Sequence, residues 1–138
     1  MAVTWQDRAL GARQSGRARR AIVALLARQS CCVSAQEIFD LLRSGGSAVG
    51  LASIYRTLDQ LSTDGFIQKV ELGDGTTRYE PAQIGGHHHH HVVCDSCGKV
   101  DAFEDDRLEQ ALRRVEQRTG YAVAAHDVVL RGTCGDCA

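Results

Sequence analysis

The chain has 138 residues, a formal net charge of −1 and a hydrophobic content of 43%. This length fits one domain or two small ones, and the composition is that of a globular protein rather than a disordered one. No apolar run is long enough to cross a bilayer, and residues 1–11 lack the apolar stretch of a signal peptide. We therefore expect a cytoplasmic protein with no membrane partner.

The near-neutral net charge conceals an uneven distribution along the chain. Residues 1–30 hold six arginines and one acid, a net charge of +5, whereas residues 83–138 hold six basic and nine acidic residues, a net charge of −3. A basic segment on an acidic body indicates an anionic partner at one end of the molecule. From charge alone, a solvated helix face is an equally good interpretation.

Two helices are predicted at the start of the chain. Apolar residues recur at helical spacing from residue 17 to residue 28. Ser34 and Glu37 form a capping box, in which the serine caps the helix and the glutamate reaches back toward it. We expect this second helix to end near residues 45–46. Its predicted buried residues are Ile38, Leu41 and Leu42.

A third helix and a hairpin complete the first half of the chain. The helix follows Gly50 and ends at Gly65, and the short glycine-rich joint before it is typical of a helix-turn-helix. Residues 66–79 have the pattern of two strands around a turn at residues 73–75. Three helices followed by a hairpin predict a winged helix over residues 1–81. A generic small α+β domain is the alternative.

A hinge at residues 82–86 is predicted to lead into a second domain at residues 87–138. Its pattern gives strands at residues 88–93, 100–103 and 122–130, and a helix at residues 105–119. The predicted fold class is therefore α+β, with an N-terminal winged helix-turn-helix and a C-terminal α/β domain.

Four cysteines of the second domain occur as two pairs with CxxC spacing. This spacing puts two sulfur atoms on one tight turn, and four thiolates form a tetrahedral donor set for structural zinc. Thiols stay reduced in the cytoplasm, so disulfides are not expected. Thiols without metal and a redox pair are the alternatives, but neither pair opens a helix in a thioredoxin-like context. The predicted ligands are Cys94, Cys97, Cys134 and Cys137.

Five consecutive histidines, residues 87–91, run directly into the first of these cysteine pairs. Successive side chains of a strand point to opposite faces. His88 and His90 therefore share one face, and His89 and His91 share the other with His87 behind them. One strand would then supply two different metal sites. A solvent-exposed histidine run is the alternative.

Spacing alone does not assign the partners of these two faces. The remaining histidine is His126, and Glu109 lies one turn inside the predicted helix. In the first domain, Glu80 ends the predicted wing, and Cys31 and Cys32 precede the capped helix. Free cysteines are commonly small core residues, so these two could equally be core.

Three segments together resemble the ferric uptake regulator family. They are GLASIYRTL, which begins at Gly50, HHHHHVVCDSCGK, which begins at His87, and GTCGDC, which ends at Cys137. The resemblance covers the chain from about Arg17 to Cys137. It implies a non-enzymatic, metal-loaded repressor that binds double-stranded operator DNA as a homodimer. The second domain is then a dimerisation domain.

The resemblance also implies three metal sites. The cysteine site falls on the two CxxC pairs. The site within the dimerisation domain falls on His88, His90, Glu109 and His126. The interdomain sensing site falls on Cys32, Glu80, His89 and His91, with His87 as the reserve ligand.

Two departures from the family pattern bear on the regulatory metal. Cys32 stands where many members have a histidine, and His90 stands where iron-type members usually have an aspartate. Sulfur and nitrogen donors suit zinc better than iron, although imidazole also accepts nickel and iron. We therefore expect Zn²⁺ as the structural ion, and Zn²⁺ rather than Fe²⁺ or Ni²⁺ as the regulatory ion.

Other members of the family remain alternatives. Zinc-sensing members from actinobacteria tend to place a cysteine near the position of Ala82, and this chain has none there. Nickel-sensing members use three alternating histidines, which His87, His89 and His91 could provide. An iron sensor and a peroxide sensor also stay open, although Cys32 argues against the latter. A zinc-dependent hydrolase is remote, because the chain has no HExxH-type motif.

The third helix is the predicted reader of DNA. Ser53, Tyr55 and Arg56 lie in its first turns, where recognition helices meet base edges. Packing of Tyr55 against the wing is the alternative for that residue. The arginines of the basic segment are better placed for phosphate contacts. They are Arg17, Arg19 and Arg20.

Overall fold

The computed structural model of the protein describes residues 2–11, 16–82 and 88–138. It divides into two compact units, the N-terminal unit Met1–Gly85 and the C-terminal unit Gly86–Ala138. The predicted hinge, apart from Ala82, and the reserve ligand His87 lie outside the described residues. None of the helices within these ranges combines the length and apolar character that a membrane span requires.

The N-terminal unit consists of helices packed on a small antiparallel sheet with the strand order β1-β3-β2. The three predicted helices and the hairpin are confirmed. In chain order, its described elements are α1 (Trp5–Gly11), α2 (Arg17–Arg28), β1 (Val33–Ser34), α3 (Ala35–Ser44), α4 (Leu51–Thr63), β2 (Ile67–Glu71) and β3 (Thr77–Pro81).

Helix α1 and strand β1 were not predicted from the sequence. Thr4 and Asp7 cap α1 reciprocally, because Asp7 Oδ2 accepts from the Thr4 N–H at 2.9 Å and Thr4 Oγ1 accepts from the Asp7 N–H at 3.1 Å. This is a capping box with aspartate in place of glutamate, and it is a signal that sequence reasoning could have used. Strand β1 has only two residues and pairs with Tyr79 and Arg78 of β3.

The core of the N-terminal unit lies between its helices and the sheet. Its largest fully buried side chains are Ile22, Leu25, Leu26, Ile38, Ile54, Leu58 and Leu61. The prediction that Leu41 is buried was wrong, because its side chain is 46% exposed. Ile38 and Leu42 are four residues apart and share the inner face of α3, whereas Leu41 is rotated from Leu42 by roughly 100° around the helix.

The end of α4 follows the prediction. The predicted cap of α3 is also present, since Ser34 Oγ accepts from the Glu37 N–H at 3.1 Å. Helix α4 is terminated at Gly65. The backbone of Gly65 has φ of +80°, a left-handed conformation that favours glycine. The N–H of Phe66 then bonds to Leu61 O at 3.0 Å, which turns the chain directly into β2.

The C-terminal unit contains a three-stranded sheet and one long helix among its described residues. Strand β4 lies in the middle, antiparallel to β5 and parallel to β6. Asp105 caps the helix by accepting from the Leu108 N–H at 2.9 Å. The elements are β4 (His90–Cys94), β5 (Val100–Phe103), α5 (Asp106–Thr119) and β6 (Val129–Gly132).

The predicted strand at residues 122–130 was wrong over most of its length. Only its last two residues belong to β6, so His126 precedes that strand instead of lying on it. Two backbone N–H groups in this segment bond to side chains: Val123 donates to Glu116 Oε1 at 3.1 Å and Val128 donates to His90 Nδ1 at 3.2 Å. These side-chain bonds use donors that an adjacent strand would otherwise pair with.

The wing turn is tied to β3 by an ion pair. The guanidinium of Arg78 donates to both carboxylate oxygens of Asp74, at 3.1 and 2.8 Å, and the Arg78 side chain is buried. The hydrogen bonds from Arg78 lower the pKa of Asp74 below its ordinary value of 3.8. A buried guanidinium that loses such a partner is costly, so this pair should stabilise the hairpin.

We expect Asp74→Asn to lower the free energy of unfolding by about 1.5–3 kcal/mol, because the amide lacks the negative charge and keeps only one of the two oxygens that accept from Arg78. The contribution of Asp74 is complete above pH 3.8 and disappears as the pH falls through its lowered folded-state pKa. The difference between variant and parent in urea denaturation should therefore shrink in acid. The control is Asp59→Asn, which breaks an exposed 3.7 Å pair with Lys69 and should change little. Equal effects of both variants would contradict the assignment.

Candidate metal sites and nucleic-acid interface

The four predicted zinc ligands lie together at one edge of the C-terminal unit. Cys94 ends β4, and its backbone pairs with Gly132 of β6, two residues before Cys134. The Sγ atoms of all four cysteines lie within 4.8 Å of one another. Cys97 Sγ and Cys134 Sγ are 3.8 Å apart. Two sulfurs on a tetrahedral zinc with bonds of ~2.3 Å are ~3.8 Å apart, so the donors fit that ion.

Local backbone geometry prepares this site for thiolates. The first CxxC turn closes with a bond from the Gly98 N–H to Cys94 O at 2.9 Å, and Gly98 has φ of +77°. The Cys134 N–H donates to Cys94 Sγ at 3.3 Å. This hydrogen bond, with another from the Cys97 backbone, lowers the pKa of Cys94 to about 6. Neighbouring thiols of Cys134 and Cys97 raise the pKa of Cys137 to about 12, so an ion has to displace that proton.

A second cluster joins β4, α5 and the segment before β6. Its donor atoms all lie within 4.8 Å of one another, and its residues are His88, His90, Glu109 and His126. The carboxylate of Glu109 lies 2.6 Å from His90 Nε2, 2.9 Å from His126 Nε2 and 3.1 Å from His88 Nε2. The Nε2 atoms of His88 and His126 are 3.1 Å apart, which is close to the ~3.3 Å between two nitrogen donors on one tetrahedral zinc.

Hydrogen bonds connect the side chains of this cluster. The bond from His90 lowers the pKa of the Glu109 carboxyl, and the charges of His88 and His126 add to the effect. His90 is only 2% exposed, and its Nδ1 accepts from the Val128 N–H. Its Nε2 therefore carries the proton that Glu109 accepts. Metal binding through this nitrogen has to release that proton.

The predicted sensing residues of the N-terminal unit are also close to one another. Cys32 directly precedes β1 and Glu80 lies on β3, and their donor atoms lie within 4.8 Å of each other. Cys32 is 5% exposed and Glu80 is 3% exposed. Gln68 on β2 donates to Glu80 Oε1 at 2.7 Å.

Cys31 joins these two residues, although sequence reasoning did not select it as a ligand. The sulfur atoms of Cys31 and Cys32 and a carboxylate oxygen of Glu80 lie within 4.8 Å of one another. The hydrogen bond with Cys31 and burial both raise the pKa of Cys32. The signal in the sequence is the adjacency of the two cysteines, although free cysteines are also common in protein cores.

The predicted sensing residues of the C-terminal unit are His89 and His91. Their ring centroids are 4.9 Å apart, while His88 and His90 belong to the cluster around Glu109. This separation of the run into two sets follows the alternation expected of a strand. His91 is buried and His89 is half-buried.

Helix α4 exposes two of the predicted DNA-reading residues. Tyr55 is 48% exposed and Arg56 is exposed, with its Nη2 3.4 Å from Ser53 Oγ. Ile54 and Leu58 point into the core, as predicted. The exposed face of α4 is therefore separate from the face that packs.

The three arginines of the basic segment differ in their contacts. Arg17 and Arg20 are exposed on α2. Arg19 is half-buried and donates through Nε to Ala9 O at 2.8 Å, and its Nη2 lies 3.5 Å from Asp64 Oδ2. Its guanidinium also lies over the Phe66 ring. Arg19 therefore links α1, α2 and the end of α4, which is a structural role that the sequence prediction of phosphate contact did not include.

The chain is similar to known proteins over most of its length. A sequence model of the Ferric uptake regulator family matches residues 11–131. The Ferric uptake regulation protein of Bacillus subtilis is 34% identical over 114 residues, which are 82% of this chain and 76% of that protein. The Zinc uptake regulation protein of Mycobacterium tuberculosis is 36% identical over 124 residues, which are 90% of this chain and 94% of that protein. The chain belongs to the ferric uptake regulator family.

A solved structure extends this similarity to the fold. The ferric uptake regulator of Vibrio cholerae matches with a TM-score of 0.81 at 30% identity, covering 93% of this chain and 98% of that chain. The predicted family and the predicted α+β fold class, with a winged helix and a dimerisation domain, are thus confirmed. The protein is a metal-responsive transcriptional regulator of this family, and the family is one of regulators rather than enzymes. Because the relatives include iron-named and zinc-named proteins, the choice of metal depends on this chain's own donors.

We expect Cys97→Ser to lose about one zinc per chain and to unfold the C-terminal unit, because metal binding at such a site is coupled to folding. Elemental analysis and size-exclusion chromatography measure the two effects. The control is Ser96→Ala in the same turn, which keeps all four thiols. If the Cys97→Ser protein lost that zinc but remained stable and dimeric, zinc at the cysteine site would not be required for folding or dimerisation.

Proposed function

We propose that the protein is a zinc-responsive transcriptional repressor that binds operator DNA as a metal-loaded homodimer. The observation that carries this proposal is the closeness of the buried Cys32 thiol to the buried Glu80 carboxylate, in the unit that bears the wing: their donor atoms lie within 4.8 Å of each other. A thiolate donor favours zinc over a metal that prefers oxygen and nitrogen. The histidines His89 and His91 of the other unit would complete the donor set.

The proposed switch is a shift between arrangements of the two units. Cys32 and Glu80 belong to the N-terminal unit, and His89 and His91 belong to the C-terminal unit. An ion that binds both pairs stabilises the arrangements in which the pairs meet. If the same arrangements fit the operator, metal and DNA strengthen each other's binding reciprocally.

Two further features support the DNA-bound dimer. Several large apolar side chains of the C-terminal unit are exposed in the single chain, and exposed apolar patches mark contact surfaces. They are Val115, Tyr121, Val123 and Leu130. A symmetric dimer would present two copies of α4 to successive major grooves. Tyr55 and Arg56 would then read bases, while Arg17 and Arg20 contact phosphates.

The other two metal sites have supporting roles in this proposal. The cysteine site holds a structural zinc, and the cluster around Glu109 tunes stability or the graded response. Its three imidazoles and one carboxylate also accept Fe²⁺ or Ni²⁺. An iron- or nickel-responsive regulator is therefore the second candidate function, and buffered titrations with each metal distinguish the two.

We expect His89→Ala to keep its fold and its dimeric state but to lose metal-induced DNA binding, because the sensing site loses a donor from one unit. Fluorescence anisotropy of labelled operator DNA with buffered zinc, iron(II), nickel and manganese measures the response. The matched control is His126→Ala in the other cluster, which should weaken the response without abolishing it. A normal zinc response in His89→Ala would remove the sensing role from that face of the strand.

We expect Arg56→Ala to cost roughly 1–3 kcal/mol on an operator selected from a random pool, because arginine can pair bidentately with guanine. The same change should reduce the difference in binding affinity between operator and random DNA. The control is Arg17→Ala, which should weaken binding to both DNAs similarly and reduce the dependence of the affinity on salt concentration. We choose Arg17 because Arg19 has structural contacts. Equal losses on both DNAs in Arg56→Ala would show that this residue does not read bases.

A further inference from the structure

The adjacent cysteines of the N-terminal unit converge instead of pointing apart. In an extended strand, neighbouring side chains point to opposite faces. Here the chain bends at residues 30–31, just before β1, and the two Sγ atoms lie 3.7 Å apart. Cys31 is half-buried and Cys32 is buried. Both thiols therefore lie on the same side of the chain, next to the buried carboxylate of Glu80.

We propose that Cys31 is a metal ligand, and that Cys31, Cys32 and Glu80 form a three-donor half-site for one thiophilic divalent cation within the N-terminal unit. This inference deepens the proposed function and rests on it. It assigns a second thiolate to the sensing ion and makes the unit that bears the wing the main holder of that ion.

The spacing of the sulfurs supports this assignment. Two thiolates on a tetrahedral zinc lie ~3.8 Å apart, and the Cys31–Cys32 distance is 3.7 Å. The same spacing, 3.8 Å, separates Cys97 and Cys134 in the four-cysteine site. Both distances thus match the spacing of two sulfur donors on one tetrahedral zinc. Cys31 and Cys32 are adjacent in the chain, whereas Cys97 and Cys134 come from two different CxxC turns.

A disulfide between the two cysteines is a poorer use of this geometry. Disulfide-bonded cysteines usually have Cα atoms ~4.4–6.8 Å apart, whereas adjacent residues across a trans peptide are held at ~3.8 Å. Bond formation would strain the loop that leads into β1. Coordination by one ion needs no covalent bond between the sulfurs and keeps them at the distance observed.

The surroundings of Glu80 also suit a cation. A buried carboxylate is costly unless hydrogen bonds or positive charge compensate it. Gln68 supplies a hydrogen bond to one of its oxygens. Two thiolates and this carboxylate would make the site strongly negative, which favours a divalent ion, and the sulfur donors favour zinc, cobalt or cadmium over manganese.

The test uses the full chain with zinc retained in the four-cysteine site and with Co²⁺ added to fill the other metal sites. The readout is thiolate-to-cobalt charge-transfer absorbance per bound Co²⁺. Since each thiolate contributes to this band, Cys31→Ser and Cys32→Ser should each lose about half of it, and the double variant should lose it entirely. Ser30→Ala, an exposed neighbour, is the control and should keep the full band. An unchanged band in Cys31→Ser would overturn the proposal.

A second measurement avoids any effect of substitution on folding. In the parent protein, alkylation of Cys31 by iodoacetamide is followed by mass spectrometry with and without added zinc. Zinc should protect Cys31 if it is a ligand, and equal alkylation in both states would overturn the proposal. The proposed function fails separately: it is contradicted if Cys32→Ser and His89→Ala both keep the parent's zinc-dependent DNA binding. If Cys32→Ser loses that binding while Cys31→Ser keeps both binding and band, only the ligand role of Cys31 is excluded.

Discussion

The register of the central strand β4 is the constraint on which the proposed metal chemistry of the C-terminal unit depends. One strand carries His90 and His91 at its start and Cys94 at its end. A slip of one residue would turn every side chain to the opposite face. The histidines would then exchange sites, and Cys94 would leave the cysteine cluster. Pairing with β5 and β6 on both sides, together with the bond from the Cys134 N–H to Cys94 Sγ, fixes this register.

In the N-terminal unit, a much shorter strand positions the candidate metal donors. Two residues of β1 pair with β3, and Cys32 directly precedes them, with its sulfur within 4.8 Å of a carboxylate oxygen of Glu80. Ser34, at the end of β1, is also the N-cap of α3. Cys32 and the cap of α3 therefore lie on one short stretch of backbone, which also pairs with β3 of the wing hairpin. An ion bound there would touch the strand β3 that leads to Arg78 and the wing turn, which places metal occupancy next to a DNA-binding element.

The sequence predicted most elements because their signals are local. Helix periodicity and caps gave α2, α3 and α4, and the CxxC spacing gave the cysteine cluster. The failures arose where long-range contacts override a local pattern. Residues 122–130 are predicted to form a strand, yet the side chains of Glu116 and His90 accept hydrogen bonds from two of their backbone N–H groups.

Other failures concern the partners of single side chains. Arg19 belongs to a basic segment, but its contacts with Ala9 and Asp64 come from residues distant in the chain. The family pattern places a ligand at Cys32 and none at Cys31, and the sequence alone does not show that the two sulfur atoms lie 3.7 Å apart. In each case, the residue type was visible in the sequence and its neighbours were not.

The distribution of donors between the two units determines how strongly an ion can act as a switch. Bonds to Cys31, Cys32 and Glu80 are available in every arrangement of the units, so they raise affinity without favouring any arrangement. A ligand shifts an equilibrium only by its differential affinity for the two states. Moving a population from 1:99 to 99:1 requires about 5.5 kcal/mol of such difference. That difference has to come from the bonds to His89 and His91. In the proposed switch, the thiol-rich half-site selects and holds the ion, and the two histidines convert its presence into a change of arrangement.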